Sequence, residues 1–123
     1  MSENTKEKTF FAIVTAEGDV NFITNAAERR RYVAGLLNAA TIHNVLIKTA
    51  EYHASAFYVI LSAQSAKTAL NVIQTANHSY GSFMAMKEGG TYQNMRFRRV
   101  YPVCLNAKQE SMVRRALYLS MRF

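Results

Sequence analysis

The chain has 123 residues, 50% of them hydrophobic, and a formal net charge of +7. This length suffices for one hydrophobic core and is too short for two ordinary domains. No apolar run approaches the roughly 20 residues that a membrane span needs, and the polar first residues lack the apolar stretch of a signal peptide. The sequence therefore argues against a second domain and against membrane insertion. It predicts a cytoplasmic protein with a disordered tail over residues 1–8 and a single folded domain over residues 9–123.

The positive charge is concentrated toward the C-terminus. Residues 1–95 carry eight Lys or Arg against seven Asp or Glu, whereas residues 96–123 carry seven against one, Glu110. The seven basic residues of the second segment are Arg96, Arg98, Arg99, Lys108, Arg114, Arg115 and Arg122. Such a surface attracts phosphate groups and gains free energy from counterion release, although an acidic protein partner or plain solvation would also account for it. Because Phe97 and Tyr101 lie among the arginines and offer rings for stacking, we favour nucleic acid as the partner.

The N-terminal half predicts a strand followed by a helix. Alternating and β-branched apolar residues predict a first strand over residues 9–15. Asn25, with Glu28 three residues later, is a capping-box pattern, and apolar residues then recur at helical spacing. These signals predict a helix over residues 26–41.

The middle of the chain predicts a hairpin and a second helix. Two strands are expected over residues 45–52 and 56–62, separated by a short interval that suits a hairpin turn. Ser65 is a typical N-cap for the helix that follows, and the glycine pair Gly89-Gly90 is expected to end the ordered stretch after it.

The last part of the chain predicts one more strand and one more helix. Residues 95–103 are rich in β-branched and aromatic side chains and predict a fourth strand, with Pro102 at a strand end or sheet edge. Asn106 with Gln109 predicts the cap of the last helix. The single cysteine, Cys104, has no partner for an internal disulfide, and we expect a buried thiol. The resulting order, βαββαβα, predicts an α+β fold of the ferredoxin-like type, with an antiparallel sheet and helices packed on one face.

Four segments, taken in order, resemble the REP-associated tyrosine transposases, relatives of the small single-tyrosine (HUH) transposases of insertion sequences. They are DVNFITNAAERRRYVAGLL, EYHASAFYVIL, GGTYQNMRFRRVYPV and MVRRALYLSMRF. The third is the more specific match, because it is similar to the family's Gly-aromatic-Gln-x-Arg-aromatic-basic strand. The resemblance covers about residues 9–123 and implies a fold that recognises structured single-stranded DNA or RNA, for example hairpins.

The sequence carries only part of the chemistry that this resemblance implies. The family holds a divalent ion with two histidines at positions i and i+2 of one strand, which share a face. Ala56 and Tyr58 occupy these positions, and neither is a suitable magnesium ligand, so we predict no metal site and no cofactor. The family's nucleophile, a tyrosine that attacks the phosphate to give a covalent phosphotyrosine, corresponds to Tyr118. Arg122 stands where the family has a polar, potentially ligating residue.

Three interpretations of Tyr118 stay open at this point. The ring packs at the edge of the sheet, or it contacts nucleic acid without chemistry, or the hydroxyl is a nucleophile. Its neighbours Arg114, Arg115 and Arg122 would stabilise a phenolate and attract a phosphate.

The three histidines do not have the spacing of a shared metal site. His43 is predicted at the end of the first helix, His53 in the hairpin and His78 inside the second helix. We expect each to form an ordinary hydrogen bond.

A strand over residues 95–103 would project alternate side chains from opposite faces of the sheet. Arg96 and Arg98 then share one face. Arg99 lies with Phe97 and Tyr101 on the other. If helices cover the second face, the first two arginines lie on an open sheet surface of the kind that binds single strands. The alternative is a basic edge strand that prevents aggregation.

Three functions from different classes follow. The first is a binding protein that keeps the family's fold and recognises structured single-stranded DNA or RNA without metal-dependent cleavage. The second is a nicking and rejoining enzyme with Tyr118 as nucleophile, and the third is a small inhibitor or interaction module whose basic face binds an acidic protein. The missing histidine pair favours binding over catalysis, and the clustered charge favours nucleic acid over protein. The resemblance allows both a monomer and a homodimer.

Overall fold

A computed structural model of the chain describes residues 7–87 and 95–121. The elements follow the order that the sequence predicts. The strands are β1 (Lys8–Thr15), β2 (Leu46–His53), β3 (Ala56–Ala63) and β4 (Val103–Leu105), and the helices are α1 (Ala26–Ile42), α2 (Ala66–Lys87) and α3 (Ala107–Met121). None of the helices in this described part combines the length and the apolar character that a membrane crossing requires.

The predicted bounds of β1, α1, β2 and β3, and the predicted start of α2, agree with the structure to within one residue. β1 begins at Lys8, which the sequence assigned to the tail, and residues 1–6 of that tail lie outside the described residues. The predicted end of α2 at Gly89-Gly90 also lies outside them, as does Arg122.

The four strands form one antiparallel sheet in the order β2-β3-β1-β4. β1 pairs with β3 over its whole length, from Lys8 opposite Ala63 to Thr15 opposite Ala56. β2 pairs with the other side of β3, and β4 pairs with the first half of β1. β2 and β3 are joined directly by a hairpin, whereas the connections from β1 to β2 and from β3 to β4 each contain a helix and pass over one strand of the sheet. This arrangement confirms the predicted α+β, ferredoxin-like fold.

One face of the sheet, here called the inner face, carries the main core. On β1, Phe10, Ala12 and Val14 are at most 3% exposed. Their partners on β3 are fully buried: Leu61, Val59 and Phe57. α1 and α2 cover this face with further buried side chains: Tyr32, Leu36, Val72, Ile73 and Tyr80. These two helices form the one-sided helical layer that the sequence predicts.

The third helix packs on the opposite, outer face, which the prediction of helices on one face did not anticipate. Ile60 is completely buried although it is not part of the inner core. Leu117 of α3 is 9% exposed and lines a cleft with Phe11 and Tyr58. The physical reason is that β1 and β3 carry apolar side chains on both faces, so a second layer removes further apolar surface from water.

Two asparagines cap helices as the sequence predicts. Asn25 Oδ1 accepts a hydrogen bond from the backbone N–H of Glu28 at 2.8 Å, at the start of α1. Asn106 and Gln109 form a reciprocal pair at the start of α3, with distances of 2.8 and 2.9 Å between side-chain oxygens and backbone nitrogens. These caps satisfy N–H groups that have no partner inside a helix.

The predicted fourth strand over residues 95–103 is wrong in its extent. Ladder pairing is confined to Val103–Leu105, and the earlier segment touches β1 only through an isolated bridge between Phe97 and Ala16. Val100 turns into the core, and Pro102 has no N–H to donate to a ladder, so pairing is interrupted between the two regions. Cys104 is exposed on this short edge strand, which corrects the expectation of a buried thiol.

The hairpin between β2 and β3 is a strained two-residue turn. Ala54 and Ser55 have φ values of 52° and 66°. Positive φ at both central positions is typical of a type I′ turn, which matches the twist of the flanking strands and is usually occupied by Asn-Gly. A Cβ atom makes this left-handed region unfavourable, so the turn raises the energy of the folded chain.

We expect Ala54→Asn to raise the free energy of unfolding by about 1 kcal/mol, because asparagine tolerates the left-handed region better than alanine. Asn44, at a φ of 57°, provides the reciprocal control, and Asn44→Ala should lower stability by a similar amount. Urea unfolding of both variants measures the effect. Equal midpoints for wild type and both variants would show that neither position is strained.

Glu28 ties the start of α1 to the end of α2. Its carboxylate accepts hydrogen bonds of 2.8 Å from both the backbone N–H and the hydroxyl of Thr24, and one of 2.6 Å from Lys87 Nζ. The residue is 4% exposed. Burial raises the pKa of Glu28, but the hydrogen bonds from Lys87 and Thr24 outweigh burial and hold the pKa below its ordinary value. The ionised carboxylate therefore stabilises the folded state.

Because the pKa of Glu28 is lower in the folded chain than in the unfolded chain, its contribution is complete at neutral pH and is lost as the pH falls through the folded value. We expect Glu28→Gln to lower the free energy of unfolding at neutral pH by about 1–3 kcal/mol. The variant should also lose less stability than wild type on acidification below about pH 5. Urea unfolding across this range measures both effects.

Glu51→Gln serves as the control, since Glu51 is an exposed carboxylate and should shift stability by no more than about 0.5 kcal/mol. A Glu28→Gln variant with the wild-type acid profile would contradict the assignment.

Candidate functional site

Two aromatic rings stack on the outer face of the sheet, one on each central strand. Phe11 of β1 and Tyr58 of β3 have ring centroids 6.3 Å apart and an interplanar angle of 12°. In the register of the two strands Ile13 lies opposite Tyr58, and Phe11 lies opposite Ile60. The two rings are therefore diagonal neighbours on one face, a distance that aromatic side chains can span.

A cleft of about 300 Å³ lies between these rings and α3. Its walls are formed by Phe11, Ile13, His53, Tyr58, Val113, Ala116 and Leu117. Phe11 and Tyr58 are half-buried, and Ile13 is 46% exposed. Thus α3 covers the outer face only in part, and the aromatic pair stays accessible from the cleft.

Arg96 and Arg98 project toward the same outer face. The intervening Phe97 packs edge-on against Phe22 of the core, with ring centroids 5.1 Å apart. Backbone hydrogen bonds hold the segment against the end of β1, from Glu17 N to Arg96 O at 2.8 Å and from Arg98 N to Thr15 O at 2.9 Å. Because neighbouring side chains of extended chain alternate, an inward Phe97 places the two arginines outward. Phe97 therefore packs inward, while Arg96 and Arg98 on either side of it are exposed.

Arg99 does not join Phe97 as the predicted strand required. The isolated bridge to β1 ends at Arg98, and the exposed Arg99 guanidinium lies over the ring of Tyr101, 5.8 Å from its centroid. Both side chains lie on the surface of the connection to β4. Arg99 is a surface cation at the same edge of the sheet as Arg96 and Arg98, outside their row.

The described basic residues of α3 fall into two groups. Lys108 and Arg115 are exposed, and their spacing of seven residues places them on one side of the helix. Arg114 instead contacts the sheet, where its Nη1 donates to Thr49 Oγ1 at 2.8 Å and its Nε to Glu110 at 3.0 Å. The predicted cationic residues therefore differ in how far they are already engaged within the chain.

Glu110 is the centre of a polar cluster that joins α3 to the sheet. Lys48 Nζ lies 3.3 and 3.4 Å from its two carboxylate oxygens, and 3.0 Å from Thr9 Oγ1 on β1. Arg114 approaches the same carboxylate from the next turn of the helix. Partial burial raises the pKa of Glu110, but the hydrogen bonds from Arg114 and Lys48 outweigh it and lower the pKa below its ordinary value. The carboxylate is therefore ionised at neutral pH and shared by two cations.

Tyr118 lies on the side of α3 that faces β2. It is 60% exposed and lines a small cavity of about 190 Å³ with Thr49, Glu51, Arg114 and Leu117. The aromatic pair lies on the other side of Leu117. The structure therefore places Tyr118 beside Arg114, as the sequence predicts, and also beside a carboxylate that sequence reasoning did not associate with it.

Ala56 and Tyr58, the positions that the resemblance aligns with a metal-binding pair, both lie on the outer face. Ala56 is 4% exposed and pairs with His53 across the hairpin. His43 ends α1 and the exposed His78 lies on α2, so the three histidines belong to different elements. Over residues 7–87 and 95–121, no group of three or more His, Cys, Asp or Glu side chains is arranged to hold a metal ion.

Sequence reasoning missed three residues of this face: Phe11, Lys48 and Glu110. For Phe11 a signal existed, because in a strand with Phe10 and Ala12 facing the core the residue between them must project from the opposite face. For Lys48 and Glu110 no local signal existed, because 62 residues separate them in sequence.

Comparison with known proteins identifies no family for this chain. No family model matches it, and no curated protein matches it. A functional interpretation therefore depends on the residues of the outer face themselves.

Proposed function

We propose that this chain binds single-stranded DNA or RNA, alone or in hairpins, on the outer face of its sheet. The observation that supports the proposal best is the stacked pair of Phe11 and Tyr58 on the two central strands, beside an accessible cleft. Every nucleobase has a π face, and single strands bind four-stranded sheets by stacking bases on aromatic side chains of central strands. The cleft volume lies at the lower end of the range for ligand sites, roughly 300–1,000 Å³.

The charge distribution supports the same face. Arg96 and Arg98 project from it at the β1 edge, where they would contact the phosphate groups of a strand whose bases reach the rings. Three further basic residues of the segment 96–123 are exposed: Arg99, Lys108 and Arg115. They add to the positive potential that attracts a polyanion. The net charge of +7 favours association with nucleic acid at low and moderate salt.

We propose that the chain has a degenerate single-tyrosine transposase fold, which binds nucleic acid without metal-dependent cleavage. Tyr58, at one of the family's metal-ligand positions, belongs here to the aromatic stack. We propose that Tyr58 contributes to nucleic-acid binding, and that Tyr118 is not required for this binding. We also place the protein in the cytoplasm, a reducing compartment that suits its exposed, unpaired Cys104.

The first test of the proposal is a titration with labelled single-stranded, hairpin and duplex oligonucleotides, at low and near-physiological salt with a chelator present. We expect the double variant Arg96→Ala/Arg98→Ala to lose about tenfold or more in affinity, since a hydrogen bond to a charged group contributes roughly 1.5–3 kcal/mol. Its salt dependence should become shallower by about one unit of slope per lost phosphate contact.

The matched control is Arg29→Ala/Arg30→Ala, which removes two exposed arginines from α1, in the layer behind the inner face. Equal losses for both double variants would mean general charge attraction and would contradict the outer face as the binding surface. The proposal is wrong if wild type binds only weakly, does not distinguish oligonucleotide structures and loses binding at physiological salt. That result would favour an acidic protein partner.

Removal of one ring tests stacking separately from charge. We expect Tyr58→Leu to lower affinity for a single strand about 5- to 100-fold, because stacking contributes roughly 1–3 kcal/mol per base. Leucine keeps the position apolar, and thermal unfolding of the free variant controls for stability. Tyr118→Phe should bind like wild type. A covalent protein–oligonucleotide adduct that disappears in Tyr118→Phe would instead support the nicking enzyme.

A further inference from the structure

The cluster around Glu110 has the composition of an anion-binding site that already contains an anion. Lys48 and Arg114 both donate to one carboxylate, over distances of 3.0 to 3.4 Å. Each cation is also held by a threonine hydroxyl of the sheet, Lys48 by Thr9 at 3.0 Å and Arg114 by Thr49 at 2.8 Å. The hydroxyl contacts orient the two cations independently of the carboxylate that they share.

The cluster lies next to the aromatic pair. Thr9 and Phe11 project from the outer face at positions i and i+2 of β1, which are about 7 Å apart in a strand. Leu117, which packs one turn beyond Arg114, lines the cleft over Phe11 and Tyr58. A nucleic-acid strand stacked on the rings therefore has a phosphate within reach of Lys48.

A phosphodiester satisfies the same two cations as a carboxylate. It carries one negative charge on two terminal oxygens, and guanidinium and ammonium groups bind both kinds of anion with charge-assisted hydrogen bonds. The Glu110 side chain is 18% exposed, and those of Lys48 and Arg114 are 27% and 42% exposed, so solvent and salt reach the cluster. Ion pairs with this exposure contribute little to stability, so little free energy opposes their replacement by another anion.

We propose that the Glu110 carboxylate occupies a phosphate-binding subsite formed by Lys48 and Arg114, and that a nucleic-acid phosphate displaces it on binding. This inference rests on the proposed function and adds two phosphate contacts that the free protein conceals. It also assigns α3 a regulatory role, because the contact between Glu110 and Lys48 joins this helix to the sheet beside the aromatic pair. Displacement of the carboxylate frees the cations and loosens the cover in one step.

The test uses the full chain and a labelled 15-nucleotide oligothymidylate at near-physiological salt. We expect Glu110→Gln to bind about 5- to 20-fold more tightly than wild type, with a steeper salt dependence, because two cations no longer have a competing carboxylate. Glu51→Gln is the matched control. It removes one negative charge from the same face, where Glu51 lines a small cavity beside Arg114, whereas the carboxylate hydrogen bonds of Lys48 and Arg114 go to Glu110. If both variants bind the oligonucleotide more tightly by the same factor, net charge explains the gain in affinity and the inference is wrong.

A second variant separates the phosphate subsite from simple exposure of the rings. Lys48→Met should weaken binding in the wild-type background and should abolish the gain of Glu110→Gln when the two are combined. If the combined variant keeps the full gain, loosening of α3 alone explains it and the subsite is wrong.

The failures of the two proposals are distinguishable. If wild type binds and depends on Tyr58 and Arg96, but Glu110→Gln binds no more tightly than Glu51→Gln, only the inference fails. If neither wild type nor Glu110→Gln binds the oligonucleotide, both fail. If Glu110→Gln binds and wild type does not, the concealed subsite is supported, and α3 closes the site in the free protein.

Discussion

The pairing of β1 with β3 at the centre of the sheet is the constraint on which the rest of the structure depends. These strands carry apolar side chains on both faces, and β3 is buried at seven of its eight positions. α1 and α2 remove one face from water and leave Phe11, Ile13, Tyr58 and Ile60 on the other. A second layer over that face is favourable, and the last helix provides it. The partial fit of α3 leaves the cleft in which the candidate site lies.

Local sequence signals predicted the elements better than their placement. Asn25 and Asn106 predicted helix starts because a capping side chain satisfies backbone groups within a few residues. The side of the sheet that α3 covers depends on contacts between residues distant in sequence, such as Leu117 at the cleft beside Phe11 and Tyr58. The overextended fourth strand has a local cause, because β-branched and aromatic composition outweighed Pro102 in the prediction, whereas Val100 and Pro102 interrupt the pairing. The stacking of Phe11 on Tyr58 depends on strand register, which a single sequence did not supply.

The number of basic residues in the sequence does not show which of them are already paired within the fold. Arg114 counted among the available cations, yet in the fold it contacts Glu110 and Thr49. Lys48 lay outside the basic segment and joins the same cluster. A cation already paired within the chain attracts a polyanion less than its formal charge suggests, because the partner must first be displaced. The basic segment therefore contains a cation that is paired within the fold, Arg114, as well as exposed cations such as Arg96, Lys108 and Arg115.

The connection between β4 and α3 is a single residue, Asn106, which also caps the helix. The helix is therefore anchored at its N-terminal end, and Glu110, in the first turn, stays near Lys48 even when the rest of α3 moves. A tether this short gives Glu110 a high effective concentration near Lys48, in the millimolar range or above. The carboxylate then competes as an intramolecular ligand whose strength is independent of protein concentration. If a phosphate displaces Glu110 as we propose, dilution does not open the face, whereas ionic strength and the local density of phosphate do.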